Sequence, residues 1–170
     1  MIFLLGLAIL LVAPTGSSYA SGDSIAPEVF LNRVFSGAVP DSDTVWLTGE
    51  LRDQVEDILG HKPGFMRLRY WGDATRSAWV VDEIGKLEPI TIGVVVKANQ
   101  IEEVQVLEFR ESRGWEIKHD FFTRQFTGVA IEASHKLNQR IDGISGATLS
   151  VKAMKNVSRM VLLLVQNSTT

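Results

Sequence analysis

Residues 142–150 read Asp-Gly-Ile-Ser-Gly-Ala-Thr-Leu-Ser, and the rest of the chain is organised around this stretch. Apolar residues follow it at helical spacing, which predicts one amphipathic helix over residues 149–165. These residues are Leu149, Ala153, Val157, Met160, Val161 and Leu164. The glycines and hydroxyl residues ahead of the helix predict a turn that enters its N-terminus, with Ser145 as the capping residue.

A helix N-terminus that follows a glycine-rich turn is well suited to bind phosphate. The first backbone N–H groups of a helix lack acceptors, and the helix dipole adds partial positive charge there. Thr148 falls in the first turn, while Lys152, Lys155 and Arg159 are spaced to form one basic edge. The pattern is therefore compatible with a phosphate site at Thr148. A capped helix without a ligand is the alternative interpretation of the same residues.

The motif Asp142-x-x-Ser145-Gly146-Ala147-Thr148 resembles the covalent flavin motif of the FMN-binding domain family. That family includes the G subunit of the Rnf complex and the C subunit of the sodium-pumping NADH:quinone oxidoreductase. Weaker similarity runs through residues 88–94 and 108–114, so the resemblance covers about half of the chain.

The resemblance implies that Thr148 carries FMN through a phosphoester bond, which a separate flavin transferase forms from FAD. Ser145, Gly146 and Ala147 match the turn before the threonine, and Asp142 matches an acidic residue upstream. Together with Lys152 on the basic edge, these are the expected cofactor-binding residues. The redox chemistry belongs to the flavin, so no residue is expected to be catalytic.

The N-terminal segment is typical of a signal peptide. Residues 1–13 carry no charge and are followed by Pro14. Because a bilayer span takes about 20 apolar residues, this run is too short to cross a membrane and fits the apolar region of a signal peptide. Ser18 and Ala20 supply small residues for cleavage after Ala20. We therefore predict a signal peptide over residues 1–20 and an FMN-binding domain over residues 21–170. A buried N-terminal strand or helix is the alternative for the apolar run.

Composition narrows the function classes. The 170 residues carry a net charge of −3, which does not favour nucleic acid or an anionic membrane surface. The chain has no cysteine, which excludes disulfides and thiolate metal sites. Its length after the predicted signal peptide suits one domain.

The sequence predicts an α+β domain with a small, mainly antiparallel sheet and flanking helices. Helices are predicted over residues 26–35 and 49–59, the second ending at Gly60. Strands are predicted over residues 44–47, 66–70, 77–81, 92–96 and 101–110. The apolar phase of the last strand slips between Val106 and Leu107, which predicts a bulge. Residues 111–140 give no clear assignment.

Other sites are weaker. Gly143-Ile144-Ser145-Gly146 partly resembles a hydrolase nucleophile elbow, but no Asp or His follows the serine to complete a triad. His61, His119 and His135 lie far apart in sequence and predict no metal site. The tryptophans 46, 71, 79 and 115 are candidates to stack on a flavin ring, although core positions are the commoner role of such residues.

These features predict an exported, extracytoplasmic electron carrier with FMN esterified to Thr148. Its expected partners are a flavin transferase and a membrane redox protein, at which it would dock. Two alternatives remain: an exported module that binds a phosphate ligand non-covalently, and a flavin-dependent reductase with a small substrate.

Overall fold

The computed structural model of the chain describes residues 24–168, so the predicted signal peptide lies outside the described residues. An antiparallel sheet of five strands, in the order β1-β2-β3-β4-β5, forms the centre of the described fold. The strands are β1 (Ser42–Trp46), β2 (Arg67–Gly72), β3 (Arg76–Ile84), β4 (Pro89–Lys97) and β5 (Gln100–Phe109). The strand predictions are confirmed in number and order, with shifts of a few residues at their ends.

Helices pack on both faces of this sheet. They are α1 (Pro27–Val34), α2 (Gly49–Leu59), the short α3 (Asp120–Thr123) and the C-terminal α4 (Thr148–Ser168). Helix α2 has the predicted bounds, because Gly60 takes a left-handed conformation with φ of 78° and ends it. The structure therefore confirms a single α+β domain with a long helix directly after the glycine-rich turn.

The two faces of the sheet bury separate apolar clusters. The larger cluster joins α2 and α4 to the sheet around Trp79, Ile92 and Met154. The smaller cluster packs α1 on the opposite face, where Phe30 lies over Gly93. A Cβ at Gly93 would lie 2.7 Å from the Phe30 ring, so only glycine permits this close approach.

The predicted bulge in β5 is present and feeds both clusters. Thr91 pairs with Glu108 while Ile92 pairs with Val106, which leaves Leu107 as the extra residue. Val106 belongs to the larger cluster and Leu107 to the smaller one. Beyond the bulge, Phe109 packs against the larger cluster again, so the slip in apolar phase marks the extra residue that brings this side chain back to the face of Val106.

Residues 111–140, which gave no assignment from sequence, form short helical turns around Phe122 and Phe126, followed by an isolated bridge between Ile131 and Leu137. Within residues 24–168, none of the helices has the length and apolar character needed to cross a membrane.

Candidate functional site

Helix α4 begins at Thr148, one residue earlier than predicted, and Ala147 occupies the position before it. The Ala147 carbonyl accepts the N–H of Val151 at 2.9 Å, as expected of a residue at the helix entrance. Ser145 lies two residues further back, and its hydroxyl makes no hydrogen bond with any described residue. The prediction that Ser145 caps the helix was therefore wrong, because the turn enters the helix later than the serine.

The first turn of α4 presents free backbone donors. Within residues 24–168, the N–H groups of Thr148, Leu149 and Ser150 have no acceptor. Gly146 adopts φ of +82°, and the Ala147 N–H donates to the Ile144 carbonyl at 3.0 Å, so the chain turns sharply just before the helix. These donors, reinforced by the helix dipole, could bind an anion such as a phosphate.

The loop after β5 packs directly on this helix start. Gly114 has φ of +90°, and a Cβ there would lie 3.2 Å from the Ala147 Cβ and 3.3 Å from the Ser150 Oγ. Ser150 is consequently only 4% exposed and Ala147 only 3% exposed. The contact holds Gly114 against the turn, and a side chain at this glycine would crowd Ala147 and Ser150.

Glu111 ties a second loop to the same place. Its Oε1 atom accepts backbone N–H groups of Lys86, Leu87 and Glu88 at 2.5, 2.6 and 3.0 Å. These hydrogen bonds, with that from Glu88 the strongest influence, lower the pKa of the Glu111 carboxyl below its usual value. The ionised carboxylate thus holds the turn between β3 and β4 beside the start of α4.

The loops and the helix start enclose a pocket of about 310 Å³. Lys86 and Arg113 bring positive charge to its wall, which also includes the exposed Thr148. Leu87 and Leu149, which are 77% and 47% exposed, give it apolar edges. A pocket with free amides, two cations and apolar edges fits a ligand that joins a phosphate to an aromatic ring.

Residues 85–162 match the model of the FMN-binding domain family, a segment that includes both loops, the turn and most of α4. The chain contains an FMN-binding domain. It is accordingly a flavin-binding protein whose expected cofactor is FMN. No curated protein matches the chain.

In this FMN-binding domain, three hydroxyl residues near the start of α4 are exposed to different degrees. Ser150 is buried against Gly114, whereas Thr148 and Ser145 are exposed. Of these two, Thr148 lines the pocket at the free amides and Ser145 does not. Thr148 therefore combines access from solvent with a position beside the free backbone amides.

The remaining predicted site residues are only partly brought together. Gly146 and Ala147 line the pocket with Thr148, but Asp142 is not part of its wall. The Asp142 side chain instead pairs with Arg140 at 3.2 Å, and its backbone N–H donates to Gln125 at 2.8 Å. Lys152 lines an adjacent pocket.

The expected basic edge along α4 does not act as one surface. The Arg159 guanidinium donates to the His135 carbonyl at 2.6 Å, and partial burial lowers its pKa. Arg159 thus binds the backbone at His135 rather than a phosphate, which corrects the expectation that it shares an edge with Lys152.

A second pocket, of about 360 Å³, shares Leu149 with the first. Leu149, Lys152, Ala153 and Asn156 recur along one side of α4 and form one wall. The opposing wall carries His61, whose Nε2 lies 2.8 Å from the Glu83 Oε1. This pair could not be predicted from the sequence, because its members are 22 residues apart and Glu83 is a buried strand residue.

Two of the four tryptophans pack against the core and two are exposed, and Trp71 belongs to the first group because it packs against the smaller cluster. Trp79 is fully buried and stacks on Tyr70 with ring centroids 4.7 Å apart, so it belongs to the core. Trp46 and Trp115 are 56% and 54% exposed, and neither lines either pocket. In the described part of the chain, no cluster of three or more His, Cys, Asp or Glu side chains is arranged to hold a metal ion.

Proposed function

We propose that this FMN-binding domain is an exported electron carrier in which FMN is joined to Thr148 through a phosphoester bond. The observation that supports this most is the position of Thr148. Its exposed hydroxyl lies in the first turn of α4, beside three free backbone amides and on the wall of a pocket with two cations. A phosphate esterified at this oxygen would meet donors that are already aligned.

The attachment step requires an activated phosphate and an external catalyst. The Thr148 Oγ would attack the phosphorus on the FMN side of the FAD pyrophosphate, forming a P–O bond while the bond to AMP breaks. AMP leaves, and the hydroxyl proton is released. Glu111 supplies the carboxylate that lines this pocket. Its pKa is lowered and one of its oxygens already accepts three backbone N–H groups, so it is a poor base. A flavin transferase is therefore the proposed partner in maturation.

The chain's own residues then hold and shield the attached group. The amides of Thr148, Leu149 and Ser150 would bind the phosphate oxygens, and Lys86 and Arg113 would offset their charge. Leu87 and Leu149 would exclude water from the edges of the phosphate site. When bound, FMN supplies the ability to accept and release electrons.

Export and the redox partner belong to the same proposal. The apolar run of residues 1–13 and the small residues before Ser21 support export to an extracytoplasmic compartment. Covalent attachment suits that location, since a dissociated cofactor would be lost there. A membrane-bound redox protein is the proposed electron donor or acceptor.

The test is to produce the protein with and without a flavin transferase and to measure its intact mass. With the transferase, FAD and magnesium, we expect the addition of one FMN less water, and Thr148→Val should abolish it while the protein stays folded. Ser145→Ala is the matched control, because that exposed hydroxyl makes no hydrogen bond within the described residues and its loss should leave loading unchanged.

Peptide mapping of the loaded protein then distinguishes the alternatives. Flavin on Ser145 or Ser150 would refute the assignment to Thr148. Yellow protein that loses its colour on denaturation would indicate a non-covalent binding module. Rapid turnover with a soluble substrate would indicate a reductase.

A further inference from the structure

The pocket that shares Leu149 with the proposed attachment site contains an ion pair held in a fixed geometry. His61 follows the left-handed Gly60 that ends α2, and Glu83 lies near the end of β3. The Glu83 side chain is 7% exposed and its Oε1 lies 2.8 Å from the His61 Nε2. The His61 Nδ1 lies 3.1 Å from the Lys62 carbonyl oxygen. Each ring nitrogen therefore faces an acceptor, an arrangement that only the protonated imidazole satisfies with two donors.

Lys152 brings a second cation to the same pocket. Its side chain extends from the wall of α4, is exposed, and forms no ion pair within residues 24–168. With His61 protonated, two positive charges face the single negative charge of Glu83, which leaves the pocket with a net positive charge. Leu59, Ile84 and Leu149 supply apolar surface around these charges.

The pocket's position fits the reach of a group attached at Thr148. Leu149 directly follows Thr148 and forms a wall of both pockets. A ribityl chain that starts at the phosphate could pass over Leu149 and carry an aromatic ring into the second pocket. An apolar slot that ends in positive charge matches isoalloxazine, whose pyrimidine edge is polar and whose benzene edge is apolar.

We infer that the pocket between His61 and Lys152 receives the isoalloxazine ring, with its pyrimidine edge toward these two cations. The inference rests on the proposed function, since it uses the attachment point at Thr148. It assigns the ring site to His61 and Glu83, two residues that lie outside the segment matched by the family model.

This placement has an electrostatic consequence. When two electrons from a donor and one proton enter the ring, a negative charge stays at its pyrimidine edge. Cations beside that edge stabilise the reduced form more than the oxidised form and raise the reduction potential. His61 and Lys152 are thus positioning residues that tune the cofactor through charge.

The three histidines of the chain provide a direct test of placement. Ring resonances of His61, His119 and His135 should be recorded by NMR for the cofactor-free and the flavin-loaded protein. We expect His61 to shift on loading, while His119 and His135 stay in place. If no covalent loading occurs, free FMN added to the same sample serves as the probe.

Reduction potentials of loaded variants provide the second readout. His61→Gln and Lys152→Met should each shift the equilibrium about tenfold toward the oxidised form, which corresponds to a potential lower by about 30 mV for a two-electron couple. Lys155→Met, on the same helix but outside the pocket, and His119→Gln are the controls and should leave the potential unchanged.

The outcomes separate the two proposals. If loading leaves the His61 resonance in place, and the His61 and Lys152 variants keep the wild-type potential, the ring site is overturned. Attachment at Thr148 would remain intact in that case. A shift of His119 instead of His61 would place the ring beside Trp115 and would also refute the inference. Protein that fails to load but shows the His61 shift with free FMN would support the ring site and refute the covalent function.

Discussion

Gly114→Ala should be among the most damaging single-methyl changes near the candidate site. The residue has φ of +90°, and an added Cβ would lie 3.2 Å from Ala147 and 3.3 Å from the Ser150 oxygen. A left-handed conformation costs a non-glycine residue about 1–2 kcal/mol. Overpacking against two buried neighbours costs about 1–3 kcal/mol more. The free energy of unfolding should therefore fall by about 2–5 kcal/mol.

Gly128→Ala is the matched control for this change. Gly128 has φ of +78°, but a Cβ there would meet no atom within 4 Å. Its substitution should cost only the conformational part, about 1–2 kcal/mol. Urea unfolding of both variants gives the two free energies, and their difference isolates the contact between the loop and α4.

The comparison also has a functional arm. If the loop of residues 111–114 supports the first turn of α4, the Gly114 variant should load less flavin than the Gly128 variant under conditions in which both are folded. Equal unfolding free energies for the two variants would refute the close packing of Gly114 on Ala147 and Ser150.

Three further predictions concern pH and export. Hydrogen bonds lower the folded-state pKa of Glu111, so its stabilising effect should be full above its unfolded-state pKa of about 4.3 and lost as the pH falls through its folded-state pKa. The difference in unfolding free energy between the wild type and Glu111→Gln should therefore shrink below about pH 4. The pKa of His61 is raised by its hydrogen bond to the Lys62 carbonyl and its pairing with Glu83, against an opposing effect of Lys152. The contribution of His61 to stability should therefore be full below about pH 6.5 and lost as the pH rises through its folded-state pKa. The urea midpoints of His61→Gln and the wild type should converge in alkaline buffer. Mature protein from the native host should begin at Ser21 by N-terminal sequencing, and a soluble cytoplasmic pool with intact Met1 would contradict both the signal peptide and export.

Much of the fold could be predicted because local chemistry specifies it. Helix α2 was placed residue for residue, since Gly60 ends it in a conformation that glycine readily adopts. The bulge in β5 could be inferred from the slip in apolar phase, because side chains alternate between the faces of a strand. Both signals lie within a few residues of the feature they predict.

The candidate site was predicted only where it is local in sequence. Thr148 at the helix start was found from the glycine-rich turn, and the similarity of residues 108–114 pointed to a loop that proves to contact it. The residue before the helix was predicted to be Ser145 but is Ala147, because residue preferences locate a helix start only to within a few positions.

The second pocket could not have been found from sequence. His61 and Glu83 come together only because the end of α2 meets the end of β3 in the folded chain, and neither local sequence indicates that proximity. The role of Arg159 was predicted wrongly because its hydrogen-bond partner is also distant in sequence. Its spacing on α4 is correct, but a distant backbone carbonyl takes its hydrogen bond.

The hydrogen bonds from residues 86–88 to Glu111 mean that the surroundings of Thr148 form a discontinuous epitope. Lys86, Arg113 and Thr148 become neighbours only after the sheet has assembled, so a synthetic peptide carrying the motif alone would lack two walls of the pocket. An enzyme that recognises this surface would discriminate folded from unfolded chains. Cofactor insertion would then serve as a checkpoint on folding, marking only those molecules that have completed it.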